Sequence, residues 1–267
     1  MICHKNNRTI LVAILAIILF APLAAARAED APFPGKKYDW HGFDMYKHEG
    51  TRVVVPKKAA EGKPWVWRAR FWSHAPKFDI RMLEEGYHLV YCDVAGLFGA
   101  PKAVERWNGF YKRLRQQHGF AEKAVLEGMS RGGLIIYNWA AANPEKVAAI
   151  YGDAPVMDFK SWPGHKNEGI AKAYGFKDAE EALKYKGNPL DNLAPLAKAG
   201  VPIIHVVGDK DEVVPVAENT AIAQRRYKEL GGLFEVIHKP EAGHKHGLED
   251  VTPLFEFIAK HAKKDKP

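Results

Sequence analysis

The stretch Val125-Leu126-Glu127-Gly128-Met129-Ser130-Arg131-Gly132-Gly133 decides how this sequence folds. It begins as an apolar strand, and an apolar helical segment follows it at 134–139. Within it, Gly128, Ser130 and Gly132 have the spacing Gly-x-Ser-x-Gly. A serine on so sharp a strand-to-helix turn crowds the residues two places before and after it, which favours glycine at both. The pattern predicts a nucleophilic serine at the start of a helix; a glycine-rich turn that only packs tightly is the alternative.

Around this turn the sequence alternates between predicted strands and predicted helices. The strands, rich in Val, Ile and aromatic residues, are 38–45, 51–55, 65–71, 87–94, 124–127, 147–151, 201–207 and 234–238. The helices are 80–85, 103–117, 131–142, 217–230 and 252–262. Such alternation predicts an α/β fold with a mostly parallel central sheet and helices on both faces. The early strands without helices predict an antiparallel amino-terminal edge, and 153–189 interrupts the alternation as a lid-like insertion.

The first 28 residues have the order of a secretory signal peptide. Lys5 and Arg8 precede an apolar run at 10–20, and small residues lead to a cleavage point after Ala28. The run is too short to span a bilayer, so we expect no stable membrane anchor. We therefore expect a secreted or periplasmic protein whose residues 29–267 form a single domain. Cys92 is then the only cysteine left, and its apolar surroundings predict a buried structural thiol.

Composition and charge exclude several classes of protein. The 267 residues are 47% hydrophobic and 27% charged, which is typical of a globular chain. The net charge of +7 is dispersed along the sequence and does not favour nucleic acid as a partner. Histidines and cysteines lack metal-ligand spacing, and no glycine-rich phosphate loop stands out. The sequence therefore predicts neither a metal nor a cofactor.

Two further motifs follow the last two predicted strands. Gly208-Asp209-Lys210-Asp211-Glu212-Val213-Val214-Pro215 comes after 201–207, and Gly243-His244 comes after 234–238. With the serine turn, these motifs make the chain similar to the α/β-hydrolase superfamily over nearly all of 29–267. That resemblance implies Ser130 as nucleophile, Asp211 as acid and His244 as base, in the chain order usual for this fold.

The residues leave rivals for two of these roles. His246 is a second candidate base, two positions after His244, and Asp153 is a second candidate acid just past the strand at 147–151. We favour His244 because the histidine of the superfamily directly follows a glycine. Alternatively, the histidines are solvated loop residues and Asp153 caps its loop.

The resemblance also predicts the groups around the nucleophile. The backbone N–H of Arg131 is one expected oxyanion donor, and the N–H of Phe71 or of Trp72 is the second. The Arg131 side chain suits a substrate carboxylate or the oxyanion site, or alternatively a salt bridge to a structural acid. Trp72 and Trp162 lie in loops expected near the cleft, where their rings could stack on a sugar, with surface packing as the alternative.

Three functions remain open on the sequence alone. The first is a secreted serine hydrolase that cleaves carboxylic esters, small-molecule or carbohydrate, through an acyl-enzyme on Ser130. The second is a serine peptidase of prolyl-oligopeptidase-like type, because such enzymes share the fold and the motif order. The third is a non-catalytic binding module on the same fold, which an intact Ser-His-Asp set argues against.

Overall fold

The computed structural model of this protein describes Met1 and residues 33–262. The chain divides into two units, Met1–Pro32 and Phe33–Pro267, and we describe the second. Apart from Met1, the predicted signal peptide at 1–28 lies outside the described residues, so its cleavage stays a prediction.

One mixed sheet of nine strands runs through the described unit. Its strands are β1 Lys36–Trp40, β2 Phe43–His48, β3 Thr51–Val55, β4 Trp65–Ala69, β5 His88–Cys92, β6 Ala124–Met129, β7 Val147–Asp153, β8 Ile203–Gly208 and β9 Phe234–Lys239. They lie in the order β1-β2-β3-β5-β4-β6-β7-β8-β9. The neighbours β1-β2, β2-β3 and β3-β5 are antiparallel. The neighbours β5-β4, β4-β6, β6-β7, β7-β8 and β8-β9 are parallel. The predicted sheet and its antiparallel edge are confirmed.

Helices cover both faces of this sheet. They are α1 Lys77–Glu84, α2 Pro101–His118, α3 Gly132–Ala142, α4 Glu168–Tyr174, α5 Ala179–Lys184, α6 Ala194–Lys198, α7 Thr220–Glu229 and α8 Thr252–His261. All five predicted helices are present, with ends that differ by a few residues. Between residues 33 and 262, no helix combines the length and apolar character that crossing a membrane requires.

Two predicted strands have different limits in the structure. The segment 38–45 is not one strand, because His41 and Gly42 both adopt positive φ and turn the chain into the hairpin of β1 and β2. The segment 65–71 ends as a strand at Ala69. Arg70 and Phe71 take φ values of 68° and 44°, a left-handed conformation that cannot continue a strand.

Tryptophan rings fill the core between β4 and the helices on that face. The ring of Trp67 stacks on Trp107 of α2 at 3.9 Å and meets Trp139 of α3 edge-on at 5.0 Å. Cys92 lies in the same buried cluster. Burial raises the pKa of its thiol to about 11, so the group is a poor nucleophile, as its apolar surroundings predict.

The segment between β7 and β8 carries α4, α5 and α6 and builds a small apolar cluster of its own. Four of its rings pack within 6 Å of one another: Phe159, Tyr174, Phe176 and Tyr185. The cluster also includes Leu134 of α3 and Val214, which follows β8. The predicted insertion at 153–189 therefore rests on the elements that follow β6 and β8. Its role as a lid stays a prediction.

The glycines around Ser130 allow α3 to pack directly against the sheet. A Cβ atom on Gly132 would lie 2.6 Å from the carbonyl oxygen of Ala69, and one on Gly133 would lie 2.5 Å from that of Val156. A Cβ on Gly128 would lie 2.6 Å from the side chain of Ile136. Two of these obstacles are backbone atoms, so side chains at positions 132 and 133 would push α3 away from the strand ends.

We predict that Gly132→Ala destabilises the protein by about 1–3 kcal/mol, because its methyl group overlaps the Ala69 carbonyl. Gly109→Ala is the matched control: Gly109 lies in α2 and a Cβ there meets nothing within 4 Å. Gly109→Ala should stabilise the protein by about 0.5–1 kcal/mol through the lower entropy of the unfolded chain. Urea unfolding measures both, and equal effects of the two substitutions would contradict the close approach.

Candidate active site

Ser130 occupies a strained turn between β6 and α3. Its φ of 48° is left-handed, which is uncommon for a residue with a side chain. The turn is held by backbone bonds: the Ser130 N–H donates to Asp153 O, and the Ser130 carbonyl accepts from the N–H groups of Gly133 and Val156, all at 2.9 Å. Tertiary hydrogen bonds therefore stabilise a conformation that would cost about 1–3 kcal/mol by itself.

The three residues that the motifs nominate lie in one hydrogen-bonded chain. The Nε2 atom of His244 is 3.0 Å from Ser130 Oγ, and its Nδ1 atom is 2.6 Å from Asp211 Oδ2. The other carboxylate oxygen of Asp211 accepts the N–H groups of Val213 and Val214, both at 2.9 Å. These contacts fix the carboxylate, which in turn orients the imidazole toward the hydroxyl. This geometry allows a proton to pass from Ser130 to His244.

Backbone contact between two loops sets the spacing of Asp211 and His244. The N–H of Lys210 donates to Ala242 O at 2.9 Å. A Cβ on Gly208 would lie 2.2 Å from Gly243 O, so only glycine at the end of β8 allows the loops to touch. The loop after β8 and the loop after β9 are thus joined at their bases, which brings the acid and the histidine together.

The rival acid and the rival base lie beside each other instead of replacing the first pair. The Nδ1 atom of His246 is 3.3 Å from Asp153 Oδ1, and both side chains are buried. The other oxygen of Asp153 accepts the N–H of Gly247 at 2.6 Å and the Tyr151 hydroxyl at 3.1 Å. Within residues 33–262, no hydrogen bond joins His246 to Ser130. Asp153 therefore anchors the loop that carries His244, through the backbone N–H of Gly247.

A buried arginine that the motifs do not reveal lies beneath the site. Arg68 of β4 is fully buried and pairs with Asp79 of α1 and with Glu127 of β6, the latter at 3.0 Å. Its guanidinium also donates to the carbonyls of Phe71, at 2.9 Å, and of His74. One side chain therefore connects the strand that leads into Ser130 with the loop after β4.

That loop carries the expected second oxyanion donor. Four of its residues have positive φ: Arg70, Phe71, Ser73 and Ala75. Because the Phe71 carbonyl accepts from Arg68, the orientation of the following peptide group is fixed. Within the described part of the chain, the N–H groups of Phe71, Trp72 and Arg131 donate no hydrogen bond. All three are free for a ligand, and the choice between Phe71 and Trp72 stays open.

The Arg131 side chain packs on an aromatic ring, not in the salt bridge that was the alternative to a ligand-binding role. Between residues 33 and 262, no carboxylate lies within 4 Å of it. Its guanidinium lies over the ring of Phe98, 5.4 Å from the centroid. Burial, together with the neighbouring charge of Arg70, lowers the pKa of Arg131. No structural acid among the described residues therefore pairs with Arg131.

The two predicted sugar-stacking tryptophans are both packed against the protein. Trp72 lies between Trp40, at 5.4 Å, and Tyr91, at 5.6 Å, and Arg52 lies over its ring at 5.2 Å. Trp162 packs on the apolar cluster of the segment between β7 and β8. These contacts match the packing alternative, and the stacking role stays a prediction. No group of three or more potential metal ligands occurs among the described residues.

The fold and the site together define a hydrolase of the α/β class with a serine at the strand-to-helix turn. A sequence profile of the prolyl oligopeptidase family matches residues 110–265, more than half of the chain. The chain belongs to the prolyl oligopeptidase family of serine hydrolases. The matched region contains Ser130, Asp211 and His244. A comparison with curated protein sequences gives no significant match.

Three solved structures share the fold. The acylaminoacyl peptidase of Pyrococcus horikoshii superposes with a TM-score of 0.60 at 15% identity, over 88% of this chain and 42% of that one. A putative dipeptidyl aminopeptidase IV of Bacteroides ovatus gives 0.59 at 15% identity, over 85% and 34%. Puromycin hydrolase gives 0.59 at 14% identity, over 79% and 36%. The chain thus spans less than half the length of each of these proteins.

We predict that Arg68→Met destabilises the protein by about 3–5 kcal/mol, because it leaves Asp79 and Glu127 buried without a partner. Burial raises the pKa of Glu127 well above its usual value, and Arg68 opposes that rise. A carboxyl with a raised pKa in the folded state binds its proton more tightly there, so protonation favours folding. The destabilisation should therefore shrink as the pH falls from 8 toward 5.

Urea unfolding at several pH values measures this effect. Lys184→Met is the control, because Lys184 pairs with Glu180 at 2.6 Å on the exposed surface of α5 and should contribute less than about 1 kcal/mol. If Arg68→Met lowers the free energy of unfolding as little as the control does, the buried network does not stabilise the site.

Proposed function

We propose that this chain hydrolyses amide bonds of short peptides through an acyl-enzyme on Ser130. The observation that carries the proposal is the unbroken chain Asp211–His244–Ser130, with contacts of 2.6 Å and 3.0 Å. Membership of the prolyl oligopeptidase family supports a peptide substrate, and so do the peptidases that share the fold. The Asp211–His244–Ser130 chain also argues against a non-catalytic binding module, because binding alone does not require these contacts.

In the first step, Ser130 Oγ attacks the substrate carbonyl carbon while His244 Nε2 takes the hydroxyl proton. The carbonyl oxygen becomes negative, and the N–H of Arg131 at the start of α3 stabilises it with the N–H of Phe71 or Trp72. The carbon–nitrogen bond then breaks, and the proton on His244 goes to the departing amine. Asp211 stabilises the charged imidazole in the meantime.

In the second step, water releases the acyl group. His244 takes a proton from the water, whose oxygen attacks the ester carbon of the acyl-enzyme. The bond to Ser130 Oγ breaks, and the serine recovers its proton from His244. The products are a carboxylic acid and the free enzyme.

Cleavage of carboxylic esters is the second candidate, because the same steps proceed when oxygen replaces nitrogen as the leaving atom. Arg131 follows Ser130 in the chain, and its guanidinium has no carboxylate partner among the described residues, which favours an acidic ester, for example one on a sugar acid. Against a carbohydrate substrate, the rings of Trp72 and Trp162 are already packed on other side chains.

We also propose that the chain is exported. The support is the charged, apolar and small-residue order of 1–28, which ends at Ala28. Cell fractionation followed by amino-terminal sequencing tests this proposal, and a chain that starts at Met1 and stays in the cytoplasm would contradict it.

We predict that short blocked peptide 4-nitroanilides are hydrolysed, and that Ser130→Ala lowers kcat/KM by at least about a thousandfold with the fold intact. Carbohydrate and simple carboxylic esters are assayed in parallel. Hydrolysis of esters with no measurable amide cleavage would establish the second candidate. A folded Ser130→Ala protein within about tenfold of the wild type would remove Ser130 from the mechanism.

We predict that His244→Ala is as damaging as Ser130→Ala, and that His246→Ala costs less than about tenfold. His244 bonds to Ser130 and Asp211, whereas His246 has its Nδ1 atom 3.3 Å from Asp153 and makes no hydrogen bond to Ser130 among the described residues. The double variant Ser130→Ala/His244→Ala should lose little more than either single variant, because the two groups act as a unit. Steady-state kinetics on one substrate give the ranking, and the reverse order of the two histidines would move the base to His246.

A further inference from the structure

Three arginines lie at the carboxyl edge of the sheet with no acidic partner among the described residues. Arg70 directly follows β4, Arg131 directly follows Ser130, and Arg52 lies on β3. Between residues 33 and 262, no carboxylate lies within 4 Å of any of the three. The fully buried Arg68 has two carboxylate partners. The absence of partners therefore distinguishes this group from the structural arginine beneath it.

Strand register brings the backbone of Arg70 and the backbone of Arg131 to the ends of neighbouring strands. Strands β4 and β6 are parallel neighbours, and Ala69 pairs with Gly128. Arg70 is one residue past this pair and Ser130 is two residues past it. Gly132 approaches the Ala69 backbone so closely that a Cβ would lie 2.6 Å from its carbonyl oxygen. The end of β4 and the start of α3 are thus in contact, and each carries an arginine.

The electrostatics of the two guanidiniums indicate that their charges act on each other. Burial and the charge of Arg70 both lower the pKa of Arg131. Arg70 and Arg52 also act on the hydroxyl of Tyr91, where their charges oppose the rise in its pKa that burial causes. Like charges that act on each other destabilise the folded state, and an anion between them relieves the repulsion.

Each of the two side chains is held in place by an aromatic ring. The Arg70 guanidinium lies 4.7 Å from the centroid of Phe71, and its buried Nε atom has no hydrogen-bond partner within residues 33–262. The Arg131 guanidinium lies 5.4 Å from the centroid of Phe98. Rings stacked on guanidiniums restrict them while their N–H edges stay available. Such pre-ordered forks suit the planar geometry of a carboxylate.

We propose that Arg70 and Arg131 form a subsite for a carboxylate of the substrate, next to the bond that Ser130 attacks. This inference rests on the proposed function for the identity of the reacting bond, and it adds the class of substrate. The substrate carries a negative charge close to the scissile carbonyl, either as an acidic residue of a peptide or as an acidic sugar. A neutral substrate leaves the two guanidiniums without a counter-charge.

Direct binding to the full-length Ser130→Ala protein tests the subsite independently of catalysis. Calorimetry measures Kd for N-acetylglutamate and for galacturonate, each against its uncharged amide, with inorganic phosphate as a further probe. We expect at least one carboxylate to bind about tenfold or more tightly than its amide. The carboxylate that binds more tightly identifies a peptide or a sugar acid as the source of the group.

Substitution of the arginines identifies the groups responsible. Arg70→Gln and Arg131→Gln, each in the Ser130→Ala protein, should raise the Kd of the preferred carboxylate at least about tenfold. The matched control is Arg225→Gln, which removes the same charge from the exposed surface of α7 and should change Kd less than about twofold. Circular dichroism and thermal unfolding confirm that each variant is folded.

Three results would overturn the inference: equal binding of acid and amide, an unchanged Kd in both arginine variants, or tighter binding of phosphate than of either carboxylate. Failure of the proposed function is a separate result. An active-serine assay that assigns no reaction to Ser130 leaves the binding measurement intact, because that measurement uses a protein without the hydroxyl.

Discussion

The left-handed turn at Ser130 is the constraint on which the rest of the site depends. A residue with a side chain avoids this conformation, so neighbouring elements must hold it. They do so through the backbone of Asp153 at the end of β7 and through Gly133 and Val156, whose N–H groups bond to the serine carbonyl. Because the turn is fixed from two directions, the hydroxyl has one position relative to the loops after β8 and β9.

The parallel register of the sheet converts this local constraint into a site. The strands that carry Ser130, Asp153 and Asp211 are neighbours, so their carboxyl ends meet at one edge. The loop after β9 adds His244 because Gly208 allows backbone contact with Gly243. Two carboxylates then support this loop, Asp211 through His244 itself and Asp153 through Gly247. The histidine is held from both sides.

The buried network around Arg68 has a similar role for the other wall of the site. It ties β6, through Glu127, to the loop after β4, where a possible oxyanion donor and Arg70 lie. A guanidinium without solvent is stable only while both carboxylates accept its hydrogen bonds. The position of the loop is therefore linked to the protonation of a buried ion cluster. By contrast, the arginines above it have no acidic partner among the described residues, which is the basis for assigning them to a ligand.

Local sequence signals predicted most of the architecture and the three residues of the hydrogen-bonded chain. The serine turn, the acid loop and the histidine loop each combine glycine with a reactive residue at short range, so their chemistry can be read without a structure. The hairpin at His41 was missed because its turn lacks the usual Asn-Gly or Asp-Gly pair. The partners of Arg68 and of His246 were missed because pairs far apart in the sequence depend on strand order.

Reaction with a fluorophosphonate tests the central claim most directly, since it requires an activated serine but no knowledge of the substrate. The account predicts one phosphonyl group per chain, located on Ser130 by peptide mass spectrometry. It also predicts that the His244→Ala protein reacts far more slowly, because the hydroxyl then lacks its base. A folded wild-type protein that remains unlabelled, or that is labelled at another residue, would contradict the account.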